Sequence, residues 1–141
     1  MNKADKIYLC AETEINLPIE KIWALWTTPA DITQWNSPNA DWHTVRVEND
    51  LRPGGKFLFA MALKDGSVNF DYTGTYDEVI THQLITHRLN DGRSTTITFT
   101  AGNPVKLTET FEADNSQPIA MQKEFCQAVL DGFKKYATEK S

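Results

Sequence analysis

The chain has 141 residues, 40% hydrophobic and 23% charged, with a formal net charge of −5 at pH 7. This length suits one domain covering residues 1–141, and the balance of residue types excludes a disordered, collagenous or membrane-spanning chain. The acidic excess argues against nucleic acid as a partner, because a polyanion is held by basic stripes that release its counterions.

From Ile7 to Leu17 the residues Ile7, Leu9, Ala11, Thr13, Ile15 and Leu17 alternate with more polar ones, which predicts a strand with one buried face. Pro18 suits a first helical position, and Ile19, Ile22, Trp23 and Trp26 then form an apolar stripe at helical spacing. Thr28 and Pro29 read as the cap and first turn of a second, shorter helix whose face carries Ile32 and Trp35. After a loop over 36–41, Val45 and Val47 alternate with Thr44, Arg46 and Glu48 in a second strand.

The turn Pro53-Gly54-Gly55 leads into a strand with Phe57, Phe59, Met61 and Leu63 on one face, and Lys64-Asp65-Gly66 turns it back. A fourth strand, with Phe70, Tyr72, Gly74 and Tyr76 on one face, runs to about Ile80. Strands over Leu84–Leu89, Thr95–Ala101 and Val105–Glu112 follow, separated by the turns Asn90-Asp91-Gly92 and Gly102-Asn103-Pro104. Such short turns imply an antiparallel meander. Beyond Ser116, a plausible cap, and Pro118, the residues Met121, Phe125, Val129, Phe133 and Ala137 recur every fourth position, with Leu130 and Tyr136 beside them. A helix of about 20 residues is about 30 Å long, enough to lie across the whole sheet.

No basic-then-apolar leader and no stretch near the ~20 apolar residues of a bilayer crossing occurs, so a cytoplasmic location without membrane insertion is expected. In that reducing compartment Cys10 and Cys126 are each expected to act as a small buried apolar residue, and nothing demands a disulfide. His43, His82, His87 and the two cysteines lack the close-paired spacing of a metal site. No phosphate loop or nucleophile elbow is present. Neither a metal nor a cofactor is therefore expected.

Several segments in this order resemble the START-like (SRPBCC, helix-grip) superfamily. They are Pro18 with Ile22-Trp23, Thr27-Thr28-Pro29, Ile32 and Trp35, the run from Asp50 to Phe57, the run from Gly74 to Val79, and Thr108-Glu109-Thr110-Phe111-Glu112. Within the superfamily the chain is similar to stand-alone bacterial proteins resembling the C-terminal domain of the activator of heat-shock protein 90 ATPase. Phe125, Ala128-Val129-Leu130 and Phe133-Lys134-Lys135-Tyr136 look like that family's last helix, although Glu124-Phe125 stands where many relatives carry Gly-Trp. The resemblance implies an α+β helix-grip fold: a seven-stranded antiparallel sheet curled around the long C-terminal helix, with two short helices between strands 1 and 2. It also implies a mostly apolar cavity between sheet and helix, which relatives use for lipids, sterols, phenolics or polyketides. Co-chaperone activity is expected to transfer less well than the fold, since the eukaryotic activator has a further domain for which 141 residues leave no room.

With the sheet curled, the residues expected to face the cavity are Phe57, Phe59, Met61, Phe70, Tyr72, Tyr76, Ile97, Phe99, Leu107 and Phe111. Met121, Phe125, Val129 and Phe133 oppose them from the helix. The alternative is that these side chains simply fill a core. His87 shares a face with Ile85 and Leu89, and Glu109 with Val105, Leu107 and Phe111, so both should point inward unless a bulge near Gly74 or Gly102 flips the faces. A buried Glu109 needs a donor, a cation or a raised pKa. Either residue could orient a ligand, or could simply bond to Tyr72, Tyr76 or an internal water. Trp23, Trp26 and Trp35 read as core anchors, Trp42 as a residue at a cavity mouth, and Lys134, Lys135 and Lys140 as a solvated complement to the helix dipole.

Three functions remain open from sequence. The first is noncatalytic binding of a small hydrophobic molecule. The second is a cyclase- or aromatase-like enzyme in which His87 or Glu109 moves protons. The third is contact with a chaperone, which would need an exposed patch outside the cavity.

Overall fold

The computed structural model describes residues 6–140. Strand β1 (Tyr8–Ile15) is followed by helices α1 (Ile19–Thr27) and α2 (Pro29–Trp35). Strands β2 (Trp42–Asn49), β3 (Lys56–Leu63), β4 (Asn69–Ile80), β5 (Leu84–Leu89), β6 (Ser94–Thr100) and β7 (Val105–Glu112) come next, and helix α3 (Ile119–Lys140) ends the described chain. The strands form a curled antiparallel sheet in the order β1-β7-β6-β5-β4-β3-β2. The meander runs from β2 to β7, and β1 returns along β7 from Tyr8 opposite Glu112 to Ile15 opposite Val105. Helices α1 and α2 thus join the two edge strands of the sheet.

Two bulges aim side chains. In β2 the register shifts between Thr44 and Arg46, so Thr44 is buried, with its hydroxyl donating to the Asn36 carbonyl at 2.6 Å, while Val45 is 58% exposed. This corrects the expectation that Val45 and Val47 share a face: the extra residue breaks the alternation. A second shift lies in β4 between Tyr76 and Glu78. Gly74 faces Phe57 across the β3–β4 ladder, and a Cβ there would lie 2.8 Å from the Phe57 ring. Only glycine lets that ring lie against the sheet.

At one end of the molecule α3 is packed solid. Leu130, Phe133 and Ala137 are fully buried. The Trp26 and Trp35 rings stack at 4.5 Å, and Phe133 meets them edge-on at 5.0 and 4.9 Å. Phe99 sits edge-on to Trp23 at 5.1 Å, and the Trp35 indole N–H donates to the Leu25 carbonyl at 2.9 Å. Aromatic pairs of this kind contribute about 0.5–1.5 kcal/mol each beyond the area they bury.

Polar clasps hold the helix elsewhere. The Gln127 amide accepts from the Glu12 backbone N–H at 3.3 Å and donates to the Glu12 carbonyl at 2.9 Å, pairing backbone groups on edge strand β1. The Tyr136 hydroxyl donates to Asp31 of α2 at 2.6 Å. Near the start of α3, the Gln122 amide accepts from Asp114 N–H and donates to Asp114 C=O, both at 2.8 Å. Ser116, the expected cap, instead turns its hydroxyl to Asp114 at 2.6 Å.

Candidate functional site

At the other end, the first half of α3 stands off from the sheet and leaves a cavity of about 380 Å³. Its floor is the concave face of β3 to β7, where the period-two alternation delivers Phe57, Phe59 and Met61 from β3 and Phe70, Tyr72 and Tyr76 from β4. His87, Ile97, Glu109 and Phe111 continue the floor across β5, β6 and β7, and Met121, Phe125 and Val129 hang from α3. Phe70, Met121 and Phe125 are 40%, 53% and 38% exposed, which places apolar side chains around an open mouth.

Three expected residues lie elsewhere. Phe99 and Leu107, opposite each other on β6 and β7, belong to the packed end, as does Phe133 on α3. They share a face with the lining residues but sit further along their elements, where α1 and α2 fill the space. Trp42, expected at the mouth, does not reach the cavity and packs edge-on to Phe70 at 5.7 Å, whereas Trp26 and Trp35 are core anchors as expected and also form part of its inner wall. Other lining residues were missed, among them Asn49, Arg93, Thr95 and Cys126. Thr95 could have been found, since it precedes Ile97 and Phe99 on the same face; Asn49 and Arg93 sit at strand ends, where periodicity is silent.

The polar groups fall into three sets. The Tyr76 hydroxyl donates to the Asn49 side-chain carbonyl, and the Asn49 amide donates to the Thr27 carbonyl at 2.9 Å, tying β4 through β2 to α1. Tyr72 lies with its hydroxyl 3.4 Å from His87 Nε2, a long hydrogen bond, and Thr95 acts on the same hydroxyl against the effect of burial. In the third set, Glu109 of β7 is paired with the Cys126 thiol of α3. Among the described residues, no buried side-chain nitrogen or oxygen lacks a partner.

Burial dominates the protonation of these groups. It pushes the Glu109 carboxyl up to about 7, against the opposing hydrogen bond from Cys126. It pulls His87 down to about 4, with Asp77 acting weakly the other way. Burial, reinforced by Glu109, also holds the Tyr72 hydroxyl and the Cys126 thiol far above their ordinary ranges. At neutral pH the floor therefore presents a neutral phenol, a neutral imidazole and a carboxyl near its midpoint. Among the described residues no cluster of His, Cys, Asp and Glu could hold a metal ion, and no helix is long and apolar enough to cross a membrane.

The model of the family described as activator of Hsp90 ATPase homolog 1-like protein matches residues 16–138. The chain belongs to this family. The solution structure of an AHSA1-like protein from Aeromonas hydrophila is 36% identical, superposes with a TM-score of 0.89, and matches over 95% of this chain and 94% of its own. A protein from Cytophaga hutchinsonii is 38% identical at a TM-score of 0.79, covering 96% and 93% of the two chains. A crystal structure from Nitrosomonas europaea, 17% identical with a TM-score of 0.82 and coverage of 95% and 96%, shares the fold alone. No curated protein matches the chain.

Proposed function

We propose that this family member is a single START-like unit that binds a small hydrophobic molecule, of lipid, phenolic or polyketide-like character, noncatalytically between sheet and α3, in the cytoplasm. The observation that carries the reading is the hollow itself: aromatic and aliphatic walls, an apolar rim at Phe70, Met121 and Phe125, and a few polar groups on one floor. Apolar surface left unfilled in this way forgoes dispersion contacts and is available to a ligand body, while isolated polar groups orient it. In this reading Phe57, Phe59, Met61, Tyr72, Tyr76 and Val129 contact the body of the ligand, and His87 or Glu109 its polar end. Native mass spectrometry of freshly purified protein is expected to show a copurified small molecule or uptake of an added apolar one such as 1-aminoanthracene. A chain that carries nothing and takes up nothing would contradict the proposal.

One observation favours a second reading. A carboxyl titrating near neutrality is suited to general acid–base work, as a cyclase- or aromatase-like enzyme would need. His87 and Glu109 are, however, engaged with different partners, Tyr72 and Cys126. Turnover abolished by Glu109→Gln with binding intact would favour the enzyme. The family's description names a chaperone activator, and exposed Val45 lies outside the cavity, so a chaperone contact is the third reading. Loss of capture by purified Hsp90 on Val45→Asp would support it.

A further inference from the structure

The ionisable groups around the hollow are unbalanced. Glu109 and Glu112 both line it, and the cation among the lining residues, Arg93, has its Nε committed to Asp91 at 2.8 Å. Glu112 accepts from the Ser94 backbone N–H at 3.3 Å near the same turn. Glu109 acts on Tyr72 from β4 and on the Cys126 thiol from α3, which Cys10 of β1, exposed rather than buried on that strand, also influences; Arg93 from the β5–β6 turn acts on Tyr72, and His87 from β5 lies 3.4 Å from the Tyr72 hydroxyl. Tyr72 and His87 are held neutral by burial. A ligand head reaching Glu109 therefore meets uncharged donors and acceptors and a carboxyl, while the Arg93 charge at the turn is already shared with Asp91.

We propose that the cavity discriminates by charge: it accepts an amphiphile whose head is an uncharged hydroxyl or carbonyl and rejects one whose head is a carboxylate, with Glu109 setting the selectivity. This rests on the binding reading above. A neutral hydroxyl can donate to Glu109 or His87 and accept from Tyr72 or Thr95, so every partner stays satisfied. A carboxylate can only accept, and it enters desolvated beside a second carboxyl; burying it unpaired is costly, and two carboxyls at one point force one of them to hold a proton. The rejection should therefore soften in acid, where Glu109 already carries its proton.

Calorimetric titration with 2-naphthol and 2-naphthoate tests this on one ring system, because the naphthol keeps its proton at about pH 8 as tyrosine does. The expected result is that naphthol binds roughly tenfold or more tightly than naphthoate at about pH 8, the scale of a like-charge contact in a partly buried site. Lowering the pH to about 6, where most of Glu109 holds its proton, should strengthen naphthoate several-fold and leave naphthol unmoved. Glu109→Gln should narrow the preference to within about threefold and remove its pH dependence. Equal binding of the two compounds at the higher pH, or a preference unchanged by acid, would overturn the proposal. The pH series needs no variant and so decides the matter even if Glu109→Gln does not fold. If neither compound binds at any pH, the binding reading itself fails and this proposal falls with it.

Discussion

The two halves of α3 have similar spacing but opposite surroundings. From Leu130 onward the helix is clamped by Trp26 and Trp35, which meet its Phe133 edge-on, and its inward residues are fully buried. Before that point Met121 and Phe125 remain exposed and Val129 faces the hollow. One end serves stability, and the other keeps apolar surface unfilled. The difference comes from α1 and α2, whose tryptophans occupy the space under the second half and leave the first half bridging the sheet.

Substitutions at the two ends should therefore read out differently. The largest effect is expected for Phe133→Ala, which empties a closely packed site and should destabilise the fold by about 3–5 kcal/mol in chemical denaturation. If it cost no more than a surface change, the packed end would not be the anchor described here.

Next come the ionisable groups of the hollow, whose pH effects oppose each other. Glu109 has its folded pKa raised, to about 7, so its contribution to stability is greatest in acid and is lost as pH rises through that value. His87 is lowered to about 4, so the folded state excludes a proton that the unfolded chain accepts, and its contribution grows as pH rises toward 6.5. Each is worth at most about 3 kcal/mol, and between pH 4.5 and 6.5 the two slopes largely cancel. Glu109→Gln should unmask the His87 slope, giving stability that climbs across this window, and His87→Asn should unmask a decline. Denaturation midpoints measured across the pH range would show whether the slopes separate.

Smaller still is the effect of Phe59→Ala on the half-buried cavity floor. It should lower the affinity for 1-aminoanthracene about tenfold, equivalent to about 1.4 kcal/mol, with a stability loss well below that of Phe133→Ala. The opposite ranking would invert the comparison between the two ends. Val45→Thr, on the outward bulge, should change stability by no more than about 0.5 kcal/mol and leave probe binding unaltered.

The elements were legible in the sequence because period two and period 3.6 alternate cleanly and glycine- or proline-bearing turns separate them. Periodicity assigns a face, however, and not a position along the element. Phe99 and Phe111 both sit inward on neighbouring strands, yet one packs against Trp23 and the other lines the hollow. The same holds for Phe133 and Val129, one turn apart on α3. Val45 was misassigned because a bulge leaves no mark in the alternation. Asn49 and Arg93 escaped because they sit where a strand meets a turn. The hollow itself came from the family resemblance, since aromatic content is equally suited to a filled core.

The most direct test is backbone and side-chain NMR shift mapping on addition of 1-aminoanthracene. Phe57, Tyr72, Thr95, Glu109 and Val129 are expected to move together in a saturable way, while Leu107, Phe133 and Ala137 stay in place. Shifts confined to outward residues such as Val45 and Ile80, with the floor unmoved, would contradict this expectation.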